Sequence, residues 1–261
     1  MDERDWEEFK AKLKRKTEID LDLYKAPQMQ RRIMNLARRN GYDKYSAYFD
    51  KVVQDKDDFA AFIEYLTINV SEFFRTPDKF AKLETDVIPE LMKRSSRLNF
   101  WSAGCSIGAE PYSLAMILND MTPNTRHRIL ATDLDIEILG KAKAGVYNEN
   151  ELKAMSEARK SKYFTRQGDK YAVSPDIKQR IEFKRHNLLK DSFETGFDLI
   201  LCRNVVIYFT DEAKDMIYRN FYNSLKNHGV LFIGSTEQIT NYKQIGFERM
   251  SSFYFEKNLD K

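Results

Sequence analysis

Phe100-Trp-Ser-Ala-Gly-Cys-Ser-Ile-Gly-Ala-Glu-Pro-Tyr-Ser-Leu-Ala-Met116 is the stretch that decides how this chain folds. Apolar residues run into a glycine-bracketed loop, and the loop runs into a helix with a proline near its start. Leu98, Phe100 and Trp101 read as a buried strand, and residues 114–118 as the body of a helix. Between them, Gly104 and Gly108 permit a tight turn and let the backbone approach a ligand with no Cβ in the way. A strand, a glycine loop and a helix in this order form the ligand-binding unit of many α/β folds.

Spacing narrows the ligand. A dinucleotide fingerprint needs G-x-G-x-x-G, and here two glycines stand four apart with no third. A P-loop needs a lysine after its last glycine, and Ala109 stands there instead. Glu110 at the helix entrance would repel a pyrophosphate. The loop therefore suits a cofactor without phosphates and with a cationic end. S-adenosylmethionine, with its sulfonium and amino group, has that character. An ordinary tight βα connection with incidental glycines fits the same letters.

Outward from the loop, strands alternate with helices. Strand-like runs cover 98–103, 128–132, 181–184, 197–202 and 230–234, with a closing strand at 253–255. Helical runs cover 111–118, 136–144 and 212–225. Such alternation predicts a mostly parallel sheet covered on both faces. Residues 147–180 break the pattern with a helical patch and two short strand-like pieces, 162–165 and 170–173. These are joined by Arg166-Gln-Gly-Asp169 and read as a small β insertion at the sheet's edge. Residues 1–70 are helical: Trp6, Phe9 and Leu13 share one face, Met29, Ile33 and Leu36 another, and Phe59, Phe62, Ile63 and Leu66 a third. The expected organisation is an all-α N-terminal domain (1–70), a linker and connecting helix (71–97), and a Rossmann-like α/β domain (98–261).

In an open α/β sheet, ligands lie beyond the carboxyl ends of the strands. Asp133 ends the second strand, where a carboxylate can accept both hydroxyls of a ribose; Asp135 is better placed to cap the helix that follows. His186-Asn-Leu-Leu189 ends the third, where the amide of Asn187 can read an adenine edge. Cys202-Arg-Asn-Val-Val-Ile-Tyr-Phe209 ends the fourth and sets Asn204 and Tyr208 into an apolar run. Each of these is equally a polar group with a structural partner.

The 261 residues carry a formal net charge of +3, too small to imply a bulk polyanion partner. The charge is unevenly placed, with eleven basic residues against four acidic ones between Lys10 and Lys44. Helical spacing sets Arg31, Arg32, Arg38 and Arg39 on the side away from Met29, Ile33 and Leu36, either as a solvated face or as a surface for an acidic partner. Two cysteines offer neither a disulfide framework nor metal-ligand spacing, and three histidines form no recognisable metal motif. The charged N-terminus lacks the apolar core of a signal peptide, and no run reaches membrane-spanning length. The expectation is a cytoplasmic, metal-free protein.

Several segments in order resemble the chemotaxis receptor methyltransferases of the CheR type. They are Asn69-Val-Ser-Glu-Phe-Phe-Arg75, Gly104-Cys-Ser-Ile-Gly-Ala-Glu-Pro-Tyr-Ser113, Ala131-Thr-Asp-Leu-Asp135, His186-Asn-Leu-Leu189 and Arg203-Asn-Val-Val-Ile-Tyr-Phe209, with Gly234-Ser-Thr-Glu237 a looser match. The resemblance covers nearly the whole chain. It implies an S-adenosylmethionine-dependent O-methyltransferase that converts glutamates of chemoreceptor cytoplasmic helices to γ-methyl esters and releases S-adenosylhomocysteine. By the same resemblance Asn69, Ser71, Arg75, Gly104, Glu110, Asp133, Asn187, Leu188, Asn204 and Val205 contact the cofactor. Arg75 and Tyr208 lie near the transferred methyl. Arg31, Arg32, Arg38 and Arg39 become a docking surface for receptor helices, and the protein is expected to act as a monomer. Ile107 and Ala109 depart from the threonine and glutamate frequent in the family. The short hairpin between Phe164 and Tyr171 departs from relatives that use it to hold a receptor tail peptide. Two other readings stand beside this one: methylation of another substrate such as nucleic acid, and a cofactor-binding module that docks without catalysis. The N-P-P-[YF] motif of nucleic-acid amino methylation is absent from the sequence.

Overall fold

The computed structural model describes residues 2–67 and 71–260. The chain divides into two compact units, Met1–Ile68 with Val206–Ile217, and Asn69–Val205 with Tyr218–Lys261.

The first unit is helical: α1 (Glu3–Thr17), α2 (Ala26–Arg39), α3 (Tyr45–Val52) and α4 (Lys56–Thr67). Asp2 caps α1 by accepting from the Arg4 and Asp5 amides, and Pro27 opens α2, where its missing N–H costs nothing. The core is aromatic. Phe9 of α1 meets the rings of Tyr45 and Phe49 of α3 and Phe62 of α4 at 5.5–6.4 Å between centroids. Trp6, Phe9 and Leu13 are buried, as the helical spacing predicts. In α2 the buried set is Met29, Ile33, Met34 and Ala37, while Leu36 is only half-buried. The packed stripe follows the i, i+4, i+8 row through Ala37 and not the i+3 step to Leu36. Near the carboxyl end of the unit, the Lys25 amide donates to the Tyr208 carbonyl at 2.9 Å, and the Tyr24 and Phe209 rings meet edge to face at 4.8 Å.

The second unit begins with α5 (Pro77–Lys82) and α6 (Ile88–Arg94), joined through a π-helical turn at Leu83–Val87. Pro89 at the start of α6 cannot donate to the turn before it, which explains the widened turn. Then follow β1 (Asn99–Ala103), α7 (Ala109–Met121), β2 (Arg128–Asp133), α8 (Ile136–Ala144), β3 (Val146–Asn148), α9 (Glu157–Tyr163), β4 (Phe164–Gln167), β5 (Lys170–Val173), α10 (Pro175–Lys178), β6 (Ile181–Arg185) and β7 (Phe197–Cys202). The chain closes with α11 (Asp211–Ser224), which starts in the first unit, and β8 (Leu225–Ile233), α12 (Tyr242–Ile245), β9 (Phe247–Arg249) and β10 (Tyr254–Lys257). Seven strands form one sheet in the order β6-β2-β1-β7-β8-β10-β9. The first five are parallel, and β10 runs antiparallel to both of its neighbours, β8 and β9. Every residue of β7 is buried, as expected of a strand covered on both faces.

The expected α/β class, β insertion and all-α N-terminal region are all present. Differences are local. The two expected insertion strands sit at Phe164–Gln167 and Lys170–Val173, because residues 162 and 163 finish α9, and Gly168 (φ 64°) makes the turn. A third strand, β3, pairs with β5, so the insertion is a separate three-stranded sheet, β3-β5-β4. Three residues are too few to show a period, which is why β3 and β9 escape a sequence reading. Asn227-His-Gly229 lies inside β8, so the strand starts before the expected 230; there His228 adopts φ 61° and the register against β7 shifts.

Candidate cofactor site

The site is built at the carboxyl ends of β1, β2, β6 and β7, all in the second unit. The loop after β1 is tied to β2 by its own backbone: the Gly104 and Cys105 amides both donate to the Thr132 carbonyl at 2.8 Å. Gly104 (φ 74°) and Gly108 (φ 86°) lie in the left-handed region, and so does Ser106 (φ 50°). Asp133 then closes the loop. Its Oδ2 accepts from the Ser106 amide at 2.8 Å and its Oδ1 from the Asp135 amide at 3.1 Å. Asp135 caps α8 through the Glu137 and Ile138 amides, the division of labour expected from their positions. Burial raises the Asp133 carboxyl above its usual value against the opposing pull of those amides.

Gly108 is the N-cap of α7 and offers no side chain to cap it. The Ser106 hydroxyl beside it is buried with no hydrogen-bond partner among the described residues. The outer wall of the loop comes from the insertion: Tyr147 of β3 donates its hydroxyl to the Ile107 carbonyl at 2.6 Å.

Glu110, in the first turn of α7, points into the interior. Its Oε1 accepts from the Ser102 hydroxyl at 2.7 Å, and its Oε2 lies 3.4 Å from Arg203 Nη1. Burial raises its carboxyl, while the Arg203 charge, hydrogen bonds from Ser102 and Arg203, and the Arg75 charge oppose the rise. The segment Ser71–Thr76 reaches the same place. The Phe73 amide donates to the Glu151 carbonyl at 2.9 Å, and the Phe74 amide to the Ser113 hydroxyl at 3.0 Å. The Arg75 carbonyl accepts from Arg203 Nη2 at 2.7 Å.

Asn187 and Leu188 follow β6 and are buried. The Asn187 side-chain oxygen accepts from the Leu189 amide at 3.0 Å, so its NH2 is the group suited to donate to a ligand. Asn204 follows β7 at φ 60°, with its amide 3.2 Å from the Thr236 hydroxyl. The Val205 amide donates to Glu237 Oε1 at 2.9 Å.

Of the sequence-derived residues, Ser71, Arg75, Gly104, Glu110, Asp133, Asn187, Leu188, Asn204 and Val205 all lie in this second unit, in the segments just described. Asn69 lies outside the described residues. Tyr208 belongs to the first unit, on the 3₁₀ turn Val206–Tyr208, so the motif from Arg203 to Phe209 spans two units. Of the arginines in α2, Arg31, Arg38 and Arg39 are exposed. Arg38 Nε stands 4.0 Å from Asp43 Oδ1 at the surface, whereas Arg32 is engaged with the neighbouring helix. Its Nε donates to the Tyr65 carbonyl at 3.0 Å, and its guanidinium lies 4.1 Å over the Tyr65 ring. Sequence reasoning passes over Arg203 and Glu237. Both stand in the motifs named above, and a charge placed directly after an apolar strand, as Arg203 is, was the available signal. No helix among the described residues is long and apolar enough to cross a membrane, and those residues hold no cluster of metal-ligating groups.

Comparison with known proteins agrees with this architecture. A family profile described as "CheR methyltransferase, SAM binding domain" matches residues 69–254, and "CheR methyltransferase, all-alpha domain" matches 4–67. The chain is 41% identical over 256 residues to a chemotaxis protein methyltransferase of Listeria monocytogenes, covering 98% of both chains. It is 31% identical to one from Borreliella burgdorferi, over 88% of this chain and 86% of that one. For one from Salmonella typhimurium the figures are 34%, 84% and 78%. Among solved structures, the amino pentose methyltransferase CalS10 of Micromonospora echinaspora shows a partial likeness (TM-score 0.34, 13% identity, 57% of this chain and 48% of that one), which adds nothing to the assignment.

The protein is thus an S-adenosylmethionine-dependent methyltransferase. The strand-end loops present groups of the kind that cofactor requires: the carboxylates of Glu110 and Asp133, the side-chain amide of Asn187 and the buried Ser106 hydroxyl. Within that class the chain belongs to the CheR methyltransferase family.

Proposed function

We propose that this protein methylates glutamate side chains on the cytoplasmic helices of chemoreceptors, forming γ-methyl esters, and that it does so in the cytoplasm. The observation that carries this reading is the 41% identity, over 98% of both chains, to a chemotaxis protein methyltransferase. In this reading Asp133 holds the ribose, Glu110 the ammonium, and Asn187 with Leu188 the adenine. Ser71, Gly104, Asn204 and Val205 line the remaining surface, and Asn69 completes the set.

S-adenosylmethionine, when bound, supplies a methyl group already activated by its sulfonium. No general base is required of the protein, because a glutamate with a reference pKa of about 4.3 is ionised at neutral pH. What the chain's residues contribute is alignment. Arg75 steers the incoming carboxylate, and Tyr208 orients it by a hydrogen bond. Arg31, Arg38 and Arg39, exposed on α2, supply the positive face that an acidic helical partner would meet. Arg32 contributes to that face only in part, because its guanidinium is engaged with Tyr65.

Incubation with radiolabelled S-adenosylmethionine and a receptor cytoplasmic fragment tests the reading. Base-labile label on the receptor is expected. Label on nucleic acid, or none on the receptor, would overturn it.

A further inference from the structure

Two walls of the cofactor site meet at one side chain. Arg203 directly follows β7, and its side chain is only 3% exposed. The guanidinium lies 4.6 Å from the Phe232 ring centroid and 5.1 Å from that of Phe80, so it packs against two neighbouring aromatic rings. From there it reaches both walls. Nη1 stands 3.4 Å from Glu110 Oε2, while Nη2 donates to the Arg75 carbonyl at 2.7 Å and to the Thr76 hydroxyl at 3.3 Å.

We propose that Arg203 is a positioning residue for methyl transfer: it pairs with Glu110, whose carboxylate would meet an ammonium, and fixes the backbone that carries Arg75. The proposal rests on reading this pocket as the cofactor site.

The two charges depend on each other. An arginine is always protonated, so burying it is tolerable only beside an anion. Burial pushes the Glu110 carboxyl up, and the Arg203 charge beside it opposes that rise. Among the described residues the titratable groups that face Glu110 are Arg203, Arg75, Cys105, Cys202 and Tyr254. The thiols and the phenol are themselves raised by burial and stay neutral near pH 7. The two arginines are therefore the cations available to it, and Arg203 has the larger influence. A protonated Glu110 would offer an ammonium no charge.

The backbone around Arg75 points the same way independently. Phe74 (φ 52°) and Thr76 (φ 64°), on either side of Arg75, both occupy the left-handed region, which non-glycine residues avoid. Such a segment persists only when its surroundings hold it. Ser113 holds the Phe74 amide, and Arg203 holds the Arg75 carbonyl.

The test is calorimetric binding of S-adenosylhomocysteine between pH 5.5 and 8, alongside turnover, for the wild type, Arg203→Met, Arg203→Lys, Glu110→Gln and the Arg203→Met/Glu110→Gln double variant. Arg203→Met should bind weakly at pH 5.5 and recover roughly tenfold or more toward pH 8, as the unshielded Glu110 loses its proton. The wild type should change less than Arg203→Met over that range, and both variants carrying Glu110→Gln should be weak and flat. Arg203→Lys keeps the charge but not the fork, so it should retain the wild-type pH profile and near-normal affinity while kcat falls about tenfold. Uniform weakening of Arg203→Met at every pH, or wild-type affinity throughout, would overturn the proposal. Should Arg203→Met fail to fold, Arg203→Lys decides: an unchanged kcat overturns it. Failure of the wild type to bind S-adenosylhomocysteine is a different result, and removes the cofactor reading along with this one.

Discussion

A β-carbon on Gly104 would come within 2.5 Å of Val205 Cγ2. The loop after β1 and the turn after β7 are thus in van der Waals contact at a point where the first loop has no side chain. The same glycine has φ 74°, which a β-carbon also disfavours. Gly104→Ala should therefore destabilise the fold by roughly 2–4 kcal/mol, adding left-handed strain to overpacking. Thermal unfolding and S-adenosylhomocysteine affinity should fall together. A variant with wild-type melting and affinity would show that the contact yields easily.

Tyr147 joins the insertion to the cofactor loop through one hydroxyl. Tyr147→Phe removes that bond and leaves the ring packed against Phe73, 4.8 Å between centroids. The Ile107 carbonyl loses its donor, a change of about 0.5–1.5 kcal/mol. Cofactor affinity should drop by a few-fold with little change in melting temperature. Isothermal titration is the measurement, and unchanged affinity would mean the loop holds its shape without the insertion.

Asp133 has one oxygen on the Ser106 amide and one on the Asp135 amide, with further lone pairs left for hydroxyls. Asp133→Asn keeps the shape and loses the charge. Hydrogen bonds to a charged acceptor are worth about 1.5–3 kcal/mol each, so affinity for S-adenosylhomocysteine should weaken at least tenfold. Binding within twofold of wild type would remove Asp133 from ribose recognition.

Asp5 of α1 reaches the N-terminus of α3, where it accepts from the Tyr45 amide at 2.7 Å, the Ser46 amide at 3.1 Å and the Ser46 hydroxyl. Burial works to raise its carboxyl, but the hydrogen bonds from Ser46 and Tyr45 together hold it below the usual value. A carboxyl lowered on folding stabilises the fold above its unfolded pKa of about 3.9, and that contribution fades as pH falls through the folded value. Asp5→Ala should cost roughly 1–3 kcal/mol at pH 7 and progressively less below pH 4. Urea unfolding at pH 7 and pH 3 measures the difference. An equal cost at both would assign Asp5 to packing and not to charge.

Arg31, Arg38 and Arg39 are exposed on α2, so reversing them to glutamate should leave melting within a degree or two and cofactor binding unchanged. Receptor methylation should fall by about tenfold or more, and the wild-type rate should itself decline with salt. Salt-insensitive methylation, unaffected by the triple reversal, would reduce the face to solvated surface. Arg32 is left out because its bonds to the Tyr65 carbonyl would confound the reading.

The candidate site residues were legible wherever their chemistry is local. Asp133 closes β2 and Asn204 follows β7, both largely apolar strands, and a polar residue at such an end announces itself. Glu110 was visible as a charge at odds with a phosphate. What could not be read was partnership. Nothing in the sequence says that Ser102 lies against Glu110, that Ser113 holds Phe74, or that Glu237 holds Val205. Arg32 shows the reverse case: helical spacing put it on the outer face, and a neighbouring helix 33 residues away claimed it.

The sequence by itself determined the strand–loop–helix unit around Gly104 and Gly108, the alternation that makes a parallel sheet, and the helical front, because glycine permissiveness and hydrophobic period are properties of neighbouring residues. Through its ordered motifs it also pointed to the family. Tertiary structure alone decided which groups share a charge and which backbone segments support each other. Arg203 is 93 residues from Glu110 and 128 from Arg75 in the chain, yet all three are joined within hydrogen-bond reach or near it. Contacts over such separations arise from how strands order in the sheet, and that ordering leaves no periodic trace in the letters.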